Sequence, residues 1–190
     1  MTTDVSGYRA YLPVGGGSLF VFVYGSLIWN PEFRYSGRRV ARIFGYRRDL
    51  GLYSLIYRGS PEFPGLVCGL DRGGSCRGIL YEVSGGDAEG VLEYLWGREL
   101  VLPDAYFPVV VRCYAGGDVV DALTFVLNRG HSQYAGGLSD EERVAIILRA
   151  RGRNGTSREY LRRTNEALGD AGIPCGRLLA LERKADQHEN

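Results

Sequence analysis

Residues 19–27 read LFVFVYGSL, and this run is the strongest indicator of the architecture. Residues 19–24 form an unbroken series of apolar, β-branched and aromatic side chains, which is typical of a strand buried on both faces. Gly25 and Ser26 then end the strand in a turn. We therefore expect a central strand at 19–24, with the rest of the sheet built around it.

Further strand-like and helical segments follow this run. The strand-like segments, separated by Gly, Pro and Asp, are 40–46, 50–57, 66–70, 78–83, 107–114 and 119–127. Helical patterns occupy 87–100, 138–150 and 157–168. The second helix opens with Ser139 and Glu142, which have the spacing of a capping box. A strand-rich body with helices added near the C terminus predicts an α+β fold with a curled or barrel-like antiparallel sheet.

Composition limits the classes of partner. The chain has 190 residues, of which 45% are hydrophobic, as expected for one packed domain. Its 23 basic and 22 acidic side chains give a net charge of +1, so we expect no nucleic-acid partner and no anionic membrane surface. The longest apolar run is shorter than the ~20 residues of a membrane span, and residues 1–4 lack the basic start of a secretory signal. We expect a cytoplasmic protein.

The cysteines and histidines carry no recognisable framework. The four cysteines are scattered without a C-x-x-C pair, and the chain has two histidines. This pattern favours free core cysteines over a disulfide framework or a metal site. We predict no bound metal.

Glu99 is the leading catalytic candidate. In a helix over 87–100, capped by Asp87, it shares one face with residues 92, 95 and 96, which are large and apolar, whereas Glu89 and Glu93 lie nearer the solvent. Burial raises the pKa of a carboxyl group toward the range in which a general base works. A structural ion pair with Arg98 is the alternative interpretation.

The turn after the first strand is the second candidate. In Tyr24-Gly25-Ser26-Leu27, the glycine lets the backbone approach a ligand closely, and its neighbours offer N–H donors. Such a turn can bind a carboxylate or an oxyanion. An ordinary turn is the alternative.

Together with three other segments, these two features resemble the ChaC-like γ-glutamylcyclotransferases, the glutathione-specific branch of the γ-glutamylcyclotransferase fold. The resemblance covers about residues 19–181. The segments that carry it are 21–31 (VFVYGSLIWNP), 58–62 (RGSPE), 94–99 (YLWGRE), 131–136 (HSQYAG) and 155–161 (GTSREYL).

The resemblance implies a small, mostly antiparallel β-barrel with flanking and C-terminal helices. The domain would span 19–182, between an N-terminal extension at 1–18 and a frayed polar tail at 183–190. Glutathione would be converted to 5-oxoproline and cysteinylglycine without metal or organic cofactor, with Glu99 as the general acid/base. The γ-glutamyl group would lie in a cradle formed by Val21, Phe22, Val23, Tyr24, Gly25, Ser26 and Leu27.

Further positions near these segments are candidates for substrate contact. Tyr106 and Tyr134, like Tyr24, can orient a carboxylate or an amide, and Arg58 can pair with the glycine carboxylate of glutathione. Residues 55–57 read LIY where the family usually has an Asp-His pair. We therefore expect the reaction type to be better determined than the substrate.

Three alternatives stay open at the level of the sequence. The chain can be a cyclotransferase for other γ-glutamyl amino acids or amines, or a γ-glutamyl-binding module without turnover. A serine hydrolase built on Ser26 and His131 is a weaker interpretation, because the chain has no G-x-S-x-G elbow and no identifiable orienting acid. His131 itself is typical of a loop residue.

Overall fold

Five strands form the body of the molecule. The structure, a computed structural model, describes residues 7–188. The strands are β1 (Leu19–Val23), β2 (Gly37–Ser54), β3 (Gly65–Val83), β4 (Tyr106–Ala115) and β5 (Asp118–Leu127). They close into a barrel in the order β1-β3-β2-β4-β5. The predicted α+β fold with a small, mostly antiparallel barrel is confirmed.

β1 is the central strand that residues 19–24 predicted. It pairs antiparallel with β3 along its whole length and touches β5 in parallel at Val21 and Leu123. Val21 and Val23 pack into a core cluster shared with the helices, whereas Phe22 packs into a second cluster made of strand residues and Tyr24. Burial on both faces explains the unbroken apolar run.

β2 and β3 are longer than we predicted. Segments 40–46 and 50–57 are parts of β2, which ends at Ser54, and segments 66–70 and 78–83 are parts of β3. The pairing of these two strands shifts register between Phe44 and Tyr46, where Gly45 has a φ of +85°. A glycine in this conformation lets a strand bulge and continue. Our predicted break at 47–49 lies elsewhere and is wrong, because these three residues pair regularly with residues 69–71 of β3.

Four α-helices pack against the barrel. They are α1 (Ala88–Glu99), α2 (Asp140–Arg149), α3 (Ser157–Asp170) and α4 (Gly176–Gln187). The first three match the predicted segments, and Ser139 and Glu142 form the predicted capping box. Asp87 precedes α1, but its carboxylate accepts a hydrogen bond from Ser84 Oγ instead of capping the helix. None of the described helices is long and apolar enough to cross a membrane.

Segments near both ends of the described chain are folded against the domain. α4 continues to Gln187 and buries Ala185, so most of the 183–190 tail is helical; residues 189–190 lie outside the described range. At the other end, Tyr8 is buried and its ring packs edge-on against Trp96 of α1. Residues 1–6 of the N-terminal extension also lie outside the described range.

Candidate active site

A cavity of about 670 Å³ opens where β1 and α1 end and β3 begins. Every residue predicted for the site lines this cavity except Tyr134. Residues as far apart in the chain as Val21 and Tyr106 therefore meet in one place, because α1 packs with its last turn next to the end of β1.

The Tyr24-Gly25-Ser26 segment forms one wall. Tyr24 is buried, and Gly25 lies beside Cys68 and Tyr160. A methyl group on Gly25 would meet Cys68 Cβ at 3.5 Å and Tyr160 Oη at 3.6 Å, which are ordinary contacts. The neighbouring protein atoms therefore tolerate a side chain here, and what the glycine leaves open is space at the cavity wall.

Glu99 is the last residue of α1, and its side chain is 17% exposed. Burial raises the pKa of its carboxyl group, and the positive charge of Arg98 only partly offsets that effect. The Arg98 Nε to Glu99 Oε1 distance is 3.6 Å. The ion pair that we considered as an alternative is thus present, but burial has the larger effect on the pKa.

Three buried tyrosines, Tyr24, Tyr106 and Tyr160, line the cavity near Glu99 or the Cys68 backbone. Burial raises the pKa of Tyr24 and of Tyr106 well above the ordinary value, and the charge of Glu99 raises both further. Tyr106 Oη donates to the Cys68 carbonyl at 3.2 Å, and Tyr160 Oη accepts from the Cys68 N–H at 3.1 Å. All three phenols therefore stay protonated at neutral pH. The Tyr106 proton is already donated to the Cys68 carbonyl, which leaves the O–H groups of Tyr24 and Tyr160 as donors.

Arg98 connects α1 to the Tyr24-Gly25-Ser26 wall. Its Nη2 donates to Ser26 Oγ at 3.0 Å, and its Nη1 donates to Tyr94 Oη at 2.7 Å and to Glu32 Oε2 at 3.2 Å. A guanidinium has no acceptor, so Ser26 is the acceptor in this bond. The Ser26 O–H proton is consequently left to donate elsewhere.

Arg58 lies at a second end of the cavity. Its Nη1 donates to the Asn154 carbonyl, and its guanidinium lies 5.4 Å from the centre of the Tyr160 ring. Burial lowers the pKa of Arg58, and the nearby positive charge of Arg163 lowers it further. Within residues 7–188, no carboxylate lies within ion-pair distance of Arg58. The charge of Glu159 acts on Arg58 in the opposite direction to that of Arg163. Two guanidinium groups and one carboxylate therefore leave this part of the cavity electropositive.

Tyr134 and His131 lie away from the cavity. Tyr134 Oη donates to Asp71 of β3 at 3.2 Å, so this tyrosine belongs to a polar cluster around Asp71 and does not line the cavity. His131 Nδ1 accepts from the Gln133 N–H at 3.1 Å, as expected of a loop residue. Ser26 and His131 therefore form no nucleophile and base pair.

Comparison with known proteins gives the family. Residues 19–185 match the family model described as ChaC-like protein. The chain belongs to the ChaC-like family. Glutathione-specific gamma-glutamylcyclotransferase 1 of Homo sapiens is 36% identical over 164 residues, covering 84% of this chain and 72% of the relative. Glutathione-specific gamma-glutamylcyclotransferase of Escherichia coli is 29% identical over 146 residues, covering 76% and 63%.

Solved structures give the same fold for this ChaC-like chain. A yeast γ-glutamyl cyclotransferase specific to glutathione superposes with a TM-score of 0.82 at 21% identity, covering 90% of this chain and 96% of that one. A protein titled gamma-glutamyl cyclotransferase superposes with a TM-score of 0.55 at 14% identity, covering 87% and 86%. At these identities the likeness concerns the fold alone.

The sequence reasoning missed several cavity residues of this ChaC-like chain. Arg98 was considered only as an ion-pair partner, although it adjoins Glu99 in the 94–99 segment. Tyr160 belongs to the 155–161 segment but was assigned no role. Asn154 and Arg163 also line the cavity, and no pattern in the sequence separates Arg163 from the other arginines of α3.

Proposed function

We propose that this chain converts glutathione to 5-oxoproline and cysteinylglycine. The observation that carries the proposal is the Glu99 carboxylate, mostly buried in the same cavity as the Tyr24-Gly25-Ser26 wall. The names of its ChaC-like relatives support the same substrate. In the reaction, the α-amino nitrogen attacks the γ-carbonyl carbon of its own glutamyl residue, a five-membered lactam forms, and the bond to the cysteine nitrogen breaks.

Glu99 would move the protons of this reaction. The α-ammonium group must lose a proton before its nitrogen can attack, and the cysteine nitrogen must gain one to leave. A carboxylate with a raised pKa holds a proton between these two steps more readily than an ordinary one. Because attack is intramolecular, holding the glutamyl chain in its cyclising conformation supplies much of the remaining acceleration.

The Tyr24-Gly25-Ser26 wall and the adjoining Tyr160 offer donors to the γ-glutamyl group. Ser26 Oγ accepts from Arg98 and Tyr160 Oη accepts from Cys68, so each hydroxyl proton is left for another acceptor. The backbone N–H groups near Gly25 add to these donors. We propose that this wall holds the α-carboxylate and the oxyanion that develops on the γ-carbonyl.

The electropositive end would receive the glycine carboxylate of glutathione. Arg58 is buried and already donates to Asn154, whereas Arg163 is exposed at the rim of the cavity. We therefore propose that both guanidinium groups attract this carboxylate and that Arg163, which moves more freely, contacts it directly.

Another γ-glutamyl compound is the second candidate substrate, and one observation favours it. Leu55, Ile56 and Tyr57 line the cavity where the family usually has Asp-His. An apolar wall suits a substrate with an apolar group after the γ-glutamyl unit.

We also propose that the protein works in the cytoplasm on this small molecule without nucleic acid. All four cysteines are free, as is usual in a reducing compartment.

The experiment is incubation of the purified protein with glutathione and, separately, with γ-glutamylalanine, followed by mass spectrometry. We expect 5-oxoproline and cysteinylglycine from glutathione. Formation of 5-oxoproline from γ-glutamylalanine alone would keep the chemistry and change the substrate. Retention of glutathione without any lactam would indicate a γ-glutamyl-binding module.

A further inference from the structure

Arg48 is a buried cation behind the Tyr24-Gly25-Ser26 wall. It belongs to β2 and is 6% exposed. Its Nε donates to the Tyr24 carbonyl at 2.5 Å, and its Nη2 donates to the Arg77 carbonyl at 2.7 Å. The residue does not line the cavity itself, so any influence on a substrate passes through the Tyr24–Gly25 peptide or through its charge.

Arg48 has no carboxylate partner among residues 7–188. The neighbouring carboxylate, Asp49, pairs instead with Arg177 at 2.9 Å and with Arg143 at 3.6 Å. Burying a guanidinium without a counter-charge is costly, and a neutral donor would suffice to bind two carbonyls. The positive charge also acts at the cavity wall, because it opposes the rise that burial causes in the pKa of Cys68.

The hydrogen bond to Tyr24 fixes a peptide at the cavity wall. The carbonyl and the N–H of a planar trans peptide point in opposite directions. Because Arg48 holds the Tyr24 carbonyl, the Gly25 N–H points away from Arg48, and no acceptor for it occurs in the described part of the chain. A charged donor on the carbonyl also polarises the peptide and makes its N–H a stronger donor.

We propose that Arg48 is the positioning residue for the α-carboxylate of the γ-glutamyl group. It holds and polarises the Tyr24–Gly25 peptide so that the Gly25 N–H binds the carboxylate, and its charge balances the charge that arrives. This inference rests on the proposed function and extends it, because it names the residue that selects a γ-glutamyl unit with a free α-carboxylate.

The test compares two probes that differ only in this group: 5-oxoproline and its carboxamide, 5-oxoprolinamide. Calorimetry would measure their binding to the wild type, Arg48→Met and Arg48→Lys. We expect the wild type to prefer the acid by roughly 10-fold or more, as for hydrogen bonds that involve a charged group. Arg48→Met should lose this preference, and Arg48→Lys should keep part of it. Arg42→Met, which removes an exposed arginine from the same strand, should keep all of it.

Steady-state kinetics separates positioning from folding. Arg48→Met should raise KM for glutathione roughly 10-fold with a smaller change in kcat, whereas loss of folded protein lowers apparent kcat and leaves KM unchanged. If Arg48→Met fails to fold in a urea titration, Arg48→Lys carries the test. Equal weakening of both probes, or no preference for the acid in the wild type, would overturn the inference. Binding of 5-oxoproline without any turnover of glutathione would instead refute the proposed function and leave the role of Arg48 measurable.

Discussion

The Glu99→Gln variant tests whether Glu99 transfers protons, because it removes the carboxylate and leaves the shape of the site nearly unchanged. Glutamine has nearly the same shape but cannot accept the ammonium proton, so we expect kcat to fall about 10²- to 10⁴-fold, the usual contribution of a general acid or base. This corresponds to about 3–5 kcal/mol of transition-state stabilisation. KM should stay close to the wild-type value, because the other cavity walls are unchanged.

The free energy of unfolding of Glu99→Gln should not fall together with its activity. Burial raises the pKa of Glu99 in the folded protein, so ionising this carboxyl group costs more there than in the unfolded chain. Wild-type stability therefore falls as pH rises from the ordinary carboxyl pKa through the raised one, and glutamine removes that fall. Loss of the ion pair with Arg98, at 3.6 Å, costs at most about 1 kcal/mol. At neutral pH, the variant should be as stable as the wild type or more stable.

The assay is the rate of 5-oxoproline formation, with urea unfolding measured in parallel at pH 7. Glu93→Gln, on the exposed face of the same helix, is the matched control and should change neither quantity. The wild-type rate should also fall with decreasing pH, starting above the pH at which an ordinary glutamate titrates. Undiminished lactam formation by Glu99→Gln would refute the reasoning.

Three further substitutions test the remaining parts of the site and its support. Arg163→Ala should raise KM for glutathione about 5-fold but leave KM unchanged for a glutathione whose glycine carboxylate is amidated. Arg162→Ala, outside the cavity, is the control. Equal effects on both substrates would contradict a contact between Arg163 and that carboxylate. Gly25→Ala should unfold at nearly the same urea concentration as the wild type. Its kcat/KM should fall roughly 10-fold or more, because the added methyl group occupies space at the cavity wall. Wild-type activity of this variant would show that the substrate does not use this space. Arg143→Met should lower the free energy of unfolding in urea by about 3–5 kcal/mol, because Asp49 loses a buried partner and four backbone carbonyls lose a donor. A change below about 1 kcal/mol would show that Arg177 alone satisfies that carboxylate.

The helix that carries Glu99 was predictable from local pattern alone. Leu92, Leu95 and Trp96 are buried and Glu93 is exposed, as the 3.6-residue period requires. The strand at 19–24 was predictable for a similar reason, since burial on both faces leaves an unbroken apolar run. In both cases the burial of side chains follows the regular geometry of a single element. The pattern of apolar and polar residues within that segment is therefore enough to predict it.

Other features depend on contacts between distant segments. Residues 47–49 read as a break in the sequence, but they pair with residues 69–71 of β3, and the strand continues through them. Tyr134 belongs to the family-like segment 131–136, yet loop placement takes its hydroxyl to Asp71.

The sequence by itself determined the fold class, the family resemblance and the buried face of α1, because periodicity and short motifs are local. Only the tertiary structure decided that Arg163 reaches the cavity and that Arg48 lies behind its wall. One arginine looks like another in a sequence, and only barrel closure determines which guanidinium is buried against the Tyr24 carbonyl and which is left at the rim.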